Sequence, residues 1–530
     1  MSVLPLAPFM RFARLTTLAL VVLAAGLVAG CGSSSGDGNA DPARVAPKGS
    51  AAYAVGTVSP DGSQRDAVNS IARKLFGAND PGKSISQAIQ RSINGSSNTS
   101  KLDFEKDVKP WLGKRAAVAV TQVQAGRKGV TGAVIVASKD LDATRAALKK
   151  AERGESVRKS YRGVNFDVDQ SDQSATGIVG GFLVQGFQPD GFRAVVDASK
   201  DGGLVDAPSF QGAKRRGQDK LAMAYVDLKT FAGTALQLLP PAQRSTVLGA
   251  LGGANAQPLT ATVDAKDDAV SVELVAPTGT AAKRSPGAGG TPVIAGLPGD
   301  SFAAFGIPRI GQTLTTTLRN FESGLAGAAI GPVKAAVAKR TGLDLERDIL
   351  AAVGDVGVFA RGNSLINVGA GVVIEAPNPA AARRVVSKLG AFITRQGAAS
   401  GIKAVATRVG GAQGVKITTP RLPGAINFVV KGAKLVLAYG DPATTQALSP
   451  STKLSESGSY RRAQTSLGGI PPSLLVDFAP ILSLAEAANS GSTSSSFTRV
   501  KQVLGSLDTL ALGGRMEGNQ QLVRFVLRVK

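Results

Sequence analysis

The feature that most constrains the fold of this chain is a heptad that occurs twice. Residues 102–108 read Leu-Asp-Phe-Glu-Lys-Asp-Val, and residues 343–349 read Leu-Asp-Leu-Glu-Arg-Asp-Ile. Other motifs return in the same order and at nearly the same spacing. These are Gly-Ala-Val-Ile at 132–135 and Gly-Val-Val-Ile at 371–374, then Ser209, Phe210, Val226 and Asp227, which return as Ser459, Tyr460, Val476 and Asp477. Motifs that repeat in order over such a distance predict one structural unit used twice.

Each predicted copy alternates short β-type runs with helical patterns. The β-type runs of the first copy are residues 51–58, 116–120, 134–137, 182–185 and 221–226, and the copies close with paired runs at 259–263 and 269–275 and at 509–515 and 521–529. Helical patterns cover residues 141–151 and 380–389. Neighbouring runs follow one another with only a loop between them, which favours antiparallel pairing over a parallel βαβ array. We therefore expect an α+β fold in which each repeat is a mainly antiparallel sheet with helices on one face.

Composition predicts where the copies begin and end. Residues 277–292 are rich in proline and glycine and have no apolar period, which is typical of a linker. The first repeat is then predicted over residues 47–276 and the second over residues 293–530. Small polar residues dominate the start of 31–46 and favour a flexible tether there.

Residues 1–30 have the layout of a secretion signal. Arg11 and Arg14 precede an apolar run at 15–28, and Val-Ala-Gly then leads to Cys31, the only cysteine in the chain. The run is short for a spanning helix, which needs about 20 apolar residues. This layout resembles a bacterial lipoprotein signal peptide with its lipobox. The resemblance implies cleavage before Cys31, lipidation of its thiol and anchoring at the extracytoplasmic face of the cell membrane.

The residue types exclude the commonest catalytic chemistries. The chain has no histidine, which rules out imidazole acid–base catalysis, imidazole metal ligands and a Ser-His-Asp triad. Residues 77–84 match the phosphate-binding loop pattern, but they follow a helical pattern rather than a strand, so a helix–turn–helix is the favoured interpretation. We expect no enzyme activity, no cofactor and no metal. A histidine-independent envelope hydrolase that uses paired carboxylates stays open as an alternative.

The repeated acidic heptad is interpreted as a helix start. Successive helical residues step by about 100°, so Asp103, Glu105 and Asp107 would not converge on one cation. Asp103 and Asp344 are expected to cap the helices, with the acids that follow them near the positive end of the helix dipole. Apolar residues four apart would then form the buried face. The predicted stacks are Phe104, Val108 and Leu112 in the first copy and Leu345, Ile349 and Val353 in the second.

The chain is strongly basic, with a net charge of +23. Such a charge favours anionic partners. For an exported chain these are anionic lipid or acidic cell-wall polymer rather than nucleic acid, for which no motif is present. Candidate contacts to an anionic surface fall in corresponding segments of the two copies. They are Lys214, Arg215 and Arg216 in the first and Arg461 and Arg462 in the second. Ordinary solvated surface charge is the alternative interpretation of both clusters.

The signal, the tether and the repeated motifs together resemble a family of exported lipoproteins of unknown function from high-GC Gram-positive bacteria. The resemblance implies a membrane location and an internal duplication, and it lends no catalytic or binding residues. The sequence thus predicts a non-enzymatic binding or scaffold protein at the cell envelope. A carrier that holds a lipid or other apolar ligand between sheet and helices is the alternative, because many strand positions carry small side chains.

Overall fold

The computed structural model describes residues 38–76, 90, 102–123, 129–151, 155–235, 244, 257–266, 268–277, 292–322, 327–397, 400–489 and 495–530. The chain divides between Lys283 and Arg284 into two compact units, with residues 519–521 grouped with the first. We call them unit 1 and unit 2. The predicted α+β class with antiparallel pairing is confirmed.

Unit 1 contains an antiparallel sheet. Its strands are β1 (Ala52–Thr57), β2 (Leu112–Val123), β3 (Val130–Ser138), β4 (Ser156–Tyr161), β5 (Val164–Asp169), β6 (Ala175–Val179), β7 (Phe182–Gly186), β8 (Ala222–Val226), β9 (Leu259–Lys266) and β10 (Ala269–Pro277). The pairings give the order β4-β5-β6-β7-β3-β2-β1-β8-β9-β10. Its helices are α1 (Gly62–Phe76), α2 (Leu141–Ala151), α3 (Pro189–Asp201), α4 (Gln211–Gly217) and α5 (Leu228–Ala235).

Unit 2 contains a second antiparallel arrangement. Its strands are β11 (Ser301–Ile307), β12 (Val356–Arg361), β13 (Gly369–Glu375), β14 (Lys403–Val409), β15 (Ala412–Thr418), β16 (Ile426–Lys431), β17 (Lys434–Tyr439), β18 (Pro472–Asp477), β19 (Leu507–Glu517) and β20 (Gln520–Val529). The order is β14-β15-β16-β17-β13-β12-β11-β18-β19-β20. Counted from the first strand of each unit, the two orders are the same.

The described helices of unit 2 also follow the chain order of unit 1, with additions. They are α6 (Pro292–Ala295), α7 (Ile310–Glu322), α8 (Gly327–Thr341), α9 (Pro379–Gly397), α10 (Asp441–Leu448), α11 (Gly458–Ser466), α12 (Phe478–Ala488) and α13 (Ser495–Ser506). In each unit the strands that short connections join, such as β4 to β7 and β14 to β17, are neighbours and form a meander, whereas β3 lies beside β7 and β8 beside β1.

The interior of unit 1 is built around aromatic rings. Phe210 packs edge-on against Tyr53 and Tyr225, with centroids 5.6 and 5.1 Å apart. Phe166 stacks on Phe192 at 4.7 Å, and all of these rings are buried in one cluster with small and β-branched residues of the strands. A Cβ on Gly186 would lie 2.5 Å from the backbone nitrogen of Phe192, so only glycine lets α3 approach the sheet this closely.

Helices cover both faces of the sheet in unit 2, so the predicted single helical face is wrong there. Phe428 and Val430 are buried in one cluster with Val385 and Val386 of α9. Asn427 directly precedes Phe428 and so lies on the other face, and its Nδ2 donates to Thr444 Oγ1 of α10 at 3.0 Å. Successive strand residues point to opposite faces. On this strand, apolar residues on one face and a hydrogen-bonded polar residue on the other therefore let a helix pack against each face.

Residues before the predicted boundary at residue 47 belong to the core of unit 1. Pro42–Arg44 form a 3₁₀ turn in which Asp41 accepts a hydrogen bond from the backbone of Ala43 at 3.0 Å. Val45 and Ala46 are buried in the aromatic cluster. The end of the predicted tether at 31–46 is thus part of the core, because its apolar residues pack as the fold requires.

Candidate functional site

The two predicted caps occupy the same local structure in each unit. Asp103 Oδ1 accepts a hydrogen bond from the backbone N–H of Lys106 at 2.9 Å, and Asp344 Oδ1 accepts one from Arg347 at 2.7 Å. The helices they begin are single π-helical turns, Phe104–Val108 and Leu345–Ile349. Each cap satisfies one of the backbone donors that a helix start leaves without a partner.

The longer helices predicted from these caps are wrong. Leu112 begins strand β2, and Val353 follows a 3₁₀ turn at Leu350–Ala352. Within each turn only the first pair of the predicted stack remains, Phe104 with Val108 in unit 1 and Leu345 with Ile349 in unit 2. The turn ends early in unit 1 because Pro110 cannot continue a helix, and in both units the chain enters a strand instead.

The last acid of each heptad, Asp107 or Asp348, makes hydrogen bonds and ion pairs that stabilise the turn. Asp107 accepts a hydrogen bond from the backbone of Asp103 at 2.7 Å and pairs with Lys150 of α2 at 2.5 Å, and these contacts lower its pKa. Asp348 accepts a hydrogen bond from the backbone of Asp344 at 3.0 Å and pairs with Arg384 of α9 at 3.0 Å, which lowers its pKa in the same way. Across the described residues, no group of three or more Cys, Asp or Glu side chains could hold a metal ion.

The predicted basic clusters lie on the corresponding helices α4 and α11, one in each unit. Lys214 and Arg215 are exposed, whereas Arg216 forms an ion pair with Glu273 at 3.4 Å. Arg461 is exposed and donates to the backbone oxygen of Glu456 at 2.8 Å. Arg462 lies 3.9 Å from both Asp477 and Asp508. Acidic neighbours therefore offset part of each cluster. Cys31 and the residues 77–84 motif lie outside the described residues.

A feature that sequence reasoning missed is a row of large apolar side chains across unit 2. Directly opposed residues of antiparallel strands point to the same face of the sheet. The strand registers place six such residues side by side on consecutive strands from β18 to β16. We call them the apolar strip; they are Leu474, Phe305, Val358, Val372, Leu437 and Phe428.

The middle of the apolar strip is open to solvent. Phe305 and Val358 are 40% exposed and Leu437 is 39% exposed. Phe428 marks one end of the strip, where α9 buries it. On the opposite face the neighbouring residues Ala304 and Phe359 are buried, so the exposure belongs to this face. Contiguous apolar surface in the middle of a sheet indicates a binding face, since folded chains otherwise cover it.

The corresponding row of unit 1 has a different chemistry. It passes through β1 on the face away from the aromatic cluster and runs over consecutive strands from β8 to β6. Its members are Ala224, Ala54, Val118, Val134, Gln185 and Thr176. None of them is exposed. Val118 and Val134 match Val358 and Val372 of the strip, whereas the other four members are smaller or more polar than their counterparts in unit 2.

Two small depressions of unit 2 have charged side chains in their lining. The larger has a volume of about 280 Å³ and is lined by Arg309, Asp355 and Glu375, among others. A second cavity of about 120 Å³ shares Asp355 and Glu375 and adds Lys434. Ligand pockets usually enclose roughly 300–1,000 Å³ and are mostly apolar. Both volumes fall below that range, and both linings contain charged side chains, so neither depression has the form of an enclosed apolar ligand site.

Comparison with known proteins places the chain in a family. The model of a protein of unknown function, DUF3352, matches residues 15–521. The chain belongs to the DUF3352 family. No match to the DUF3352 chain was found among curated proteins. No described helix is long and apolar enough to cross a membrane.

Solved structures similar to the DUF3352 chain include two crystal forms of TP0453. Form IV has a TM-score of 0.25 and 10% identity, and the match covers 46% of this chain and 81% of that one. Form I has a TM-score of 0.24 and 11% identity, with 46% and 80% covered. Likeness at this level carries no argument about function, which has to come from the residues themselves.

Proposed function

We propose that the DUF3352 protein is a non-enzymatic lipoprotein of the cell envelope, anchored through Cys31 on the extracytoplasmic side, and that it binds the acyl chain of a lipid. The observation that carries the ligand class is the open apolar strip of unit 2. A purely apolar row with no charged member suits a hydrocarbon chain, because burial of apolar surface is the main gain available there. Of the binding roles that the sequence leaves open, the apolar strip therefore favours the carrier of a lipid or other apolar ligand.

The open part of the strip has the length of one acyl chain. Phe305 and Leu437 are separated by three strand intervals, or about 14 Å at roughly 4.8 Å per interval. One leaflet of a bilayer fills about half of its ~30 Å hydrocarbon core. An extended chain laid across the strands would therefore contact every open side chain of the strip.

We also propose that the two units arose by duplication and then diverged in their outward chemistry. The shared strand order and the paired caps at Asp103 and Asp344 support this proposal. In this proposal four of the six row positions diverged, with small or polar residues in unit 1 and large apolar ones in unit 2, while the two valine positions stayed alike. Binding is thus assigned to unit 2.

Solvent extraction of the purified chain followed by mass spectrometry tests the ligand. The chain should begin at Gly32, which keeps every described residue and removes the site of the anchor lipid. We expect about one lipid per chain. The double variant Val358→Asp with Leu437→Asp should lose it, because a carboxylate on the strip would have to be desolvated beside the hydrocarbon.

Val405→Asp is the matched control for this experiment. Val405 is a strand residue of the same unit and is 56% exposed, but it precedes Ala406, which shares the strip's face, and so points to the other side. It should keep the lipid. Absence of lipid from the unmodified chain, or retention by the double variant, would overturn the proposal.

A further inference from the structure

The loop between β12 and β13 holds the most exposed large apolar residue among the described ones. Ile366 is 99% exposed, Leu365 is 55% exposed and Val368 is 39% exposed. Single exposed apolar residues are common on protein surfaces. Three of them in one short loop form a local apolar tip, and surface loops carry binding residues more often than the elements they connect.

Hydrogen bonds within the loop hold this tip in shape. Asn367 Oδ1 accepts from the backbone of Asn363 at 3.0 Å and from the backbone and hydroxyl of Ser364 at 2.9 Å each. Its Nδ2 donates to Asn363 Oδ1 at 3.0 Å. At the base of the loop, Arg361 at the end of β12 forms an ion pair with Asp300, which directly precedes β11. Leu365 and Ile366 thus point outward from an ordered turn, which lowers the entropic cost of binding through them.

A second apolar residue lies at the same end of the sheet. Leu422 is 42% exposed in the loop that joins β15 to β16. The register from β13 through β17 to β16 places this loop two strand intervals, or about 10 Å, from the tip. Gly424 makes the approach possible, because a Cβ there would lie 2.6 Å from the ring of Tyr439. Both loops therefore present aliphatic side chains at one edge.

This end of unit 2 also carries uncompensated positive charge. Arg395, Lys403 and Arg421 are exposed and form no ion pair within the described part of the chain. They lie at the end of α9, at the start of β14 and beside Leu422. Among the acids of the same end, Asp300 and Asp441 are paired with Arg361 and Lys416, and Asp477 and Asp508 each lie 3.9 Å from Arg462. Anionic lipid head groups are the partner that complements cations around an apolar tip.

We propose that this end of unit 2 docks on an anionic bilayer. Leu365, Ile366 and Leu422 enter the boundary between head groups and acyl chains, and Arg395, Lys403 and Arg421 contact lipid phosphates. The β5–β6 loop of unit 1, which corresponds to the β15–β16 loop, contains Gln170, Ser171, Asp172 and Gln173 and exposes no large apolar residue. The counterpart of the tip, between β2 and β3, lies mostly outside the described residues. The contact is therefore proposed for unit 2, and it does not depend on the acyl-chain site of the strip.

Co-flotation with vesicles tests the apolar part of the contact. The chain beginning at Gly32 should bind vesicles of phosphatidylcholine mixed with phosphatidylglycerol. Leu365→Ser with Ile366→Ser should weaken that binding at least about tenfold, since two aliphatic side chains lose their burial. Val500→Ser with Val503→Ser is the matched control, because these α13 residues are 50% and 47% exposed in the same unit, and it should leave binding unchanged.

A site-specific signal comes from Ile366→Trp. Its emission should shift to shorter wavelength on the anionic vesicles, whereas the single native Trp111 is buried and supplies a constant background. The shift should be absent with pure phosphatidylcholine at the same lipid concentration. An unshifted spectrum on vesicles that do bind the protein would show that the tip stays in water and would overturn the proposal.

Charge variants test the electrostatic part. Replacing Arg395, Lys403 and Arg421 by Ser should reduce binding at low salt, and the difference should shrink as salt rises from about 0.01 to 0.15 M, where the screening length falls from about 30 to 8 Å. Lys149→Ser with Lys159→Ser and Lys229→Ser is the charge-matched control, because these three cations of unit 1 are exposed and form no ion pair within the described residues. If the control lowers binding more than the triple variant does, or if the unmodified chain ignores anionic vesicles, the proposed contact is wrong. The strip variant Val358→Asp with Leu437→Asp should still bind vesicles, so failure of the acyl-chain proposal is distinguishable.

Discussion

Unit 1 and unit 2 have the same strand order, yet they differ in where their large side chains lie. In unit 1 the large rings, among them Phe192 and Tyr53, are buried, and the row on the other face of β1 has alanine, glutamine or threonine at four of its six positions. In unit 2 the large apolar residues Phe305 and Leu437 lie on an open face. The hairpins therefore set the topology, whereas the binding chemistry depends on which face of each strand carries the large side chains.

The same contrast appears at the ends of the strands. The β5–β6 loop of unit 1, residues 170–174, is polar, whereas the corresponding β15–β16 loop of unit 2 exposes Leu422 and the β12–β13 loop exposes Ile366. Both differences add apolar surface to unit 2 without altering the sheet that supports it. Unit 1 therefore acts as the internal reference against which each property of unit 2 can be measured.

Truncating one large ring in each unit should give the largest difference. Phe192→Ala removes a fully buried ring that stacks on Phe166 and should cost about 3–5 kcal/mol of unfolding free energy. Phe305→Ala removes a ring that is 40% exposed and should cost less than about 2 kcal/mol. Hydrogen exchange read separately on peptides of β7 and β11 measures both. Equal costs would mean that the strip is packed as tightly as the core.

Removing the caps should have equal effects in the two units. Asp103→Ala and Asp344→Ala should each cost about 0.5–2 kcal/mol, because each deletes one hydrogen bond to the first turn. Neither change should alter the affinity for divalent cations. Calorimetric unfolding and calcium titration check the two statements. Tight calcium binding that either variant abolished would contradict the capping role.

The acid side of the stability profile should depend on Asp348. Its folded-state pKa lies below the ordinary value of 3.8 because of the backbone donor at Asp344 and the Arg384 guanidinium. Such a group stabilises the fold above the ordinary pKa and loses that contribution as pH falls through the folded pKa. Asp348→Asn should therefore flatten the loss of stability below pH 3.8. Unfolding followed by circular dichroism across that range checks it, and an unchanged acid slope would contradict this assignment.

Two tyrosines in the core of unit 1 should respond in opposite directions, by the smallest amounts. The buried Tyr53 hydroxyl has no hydrogen-bond partner in the described structure, and burial raises its pKa well above 10.0. Tyr53→Phe should be neutral or stabilising. Tyr225 donates to Ser209 at 2.9 Å, so Tyr225→Phe should cost about 1 kcal/mol. Thermal unfolding compares them, and a larger loss for Tyr53→Phe would reveal a partner for its hydroxyl.

Much of the fold could be predicted from the sequence because its signals are local. The helical pattern at 141–151 matches α2, and the apolar runs at 51–58 and 221–226 match β1 and β8 within a residue or two. Register was also constrained, since a slip by one residue would turn each buried face outward. Helix length after Asp103 could not be predicted, because the sheet pairing of Leu112 outweighs a four-residue apolar spacing.

The candidate site could not be predicted because it depends on non-local register. Phe305, Val358 and Leu437 lie far apart in sequence, and only the strand order makes them neighbours. Their exposure depends further on which strands α9 and α12 cover. The tip did offer one local signal in the sequence. Leu365 and Ile366 form an apolar pair flanked by turn-forming Asn and Ser residues, and an apolar pair in such a loop is unusual enough to indicate a binding role.

Photo-crosslinking with a fatty acid that carries a diazirine near the middle of its chain tests the central claim most directly. The chain beginning at Gly32 is loaded and irradiated, and the modified residues are located by peptide mass spectrometry. The account predicts labels on β11, β12 and β17 of unit 2, at or beside Phe305, Val358 and Leu437, and their loss in Val358→Asp with Leu437→Asp. Labels that fall on unit 1, or that are spread equally over both units, would contradict it.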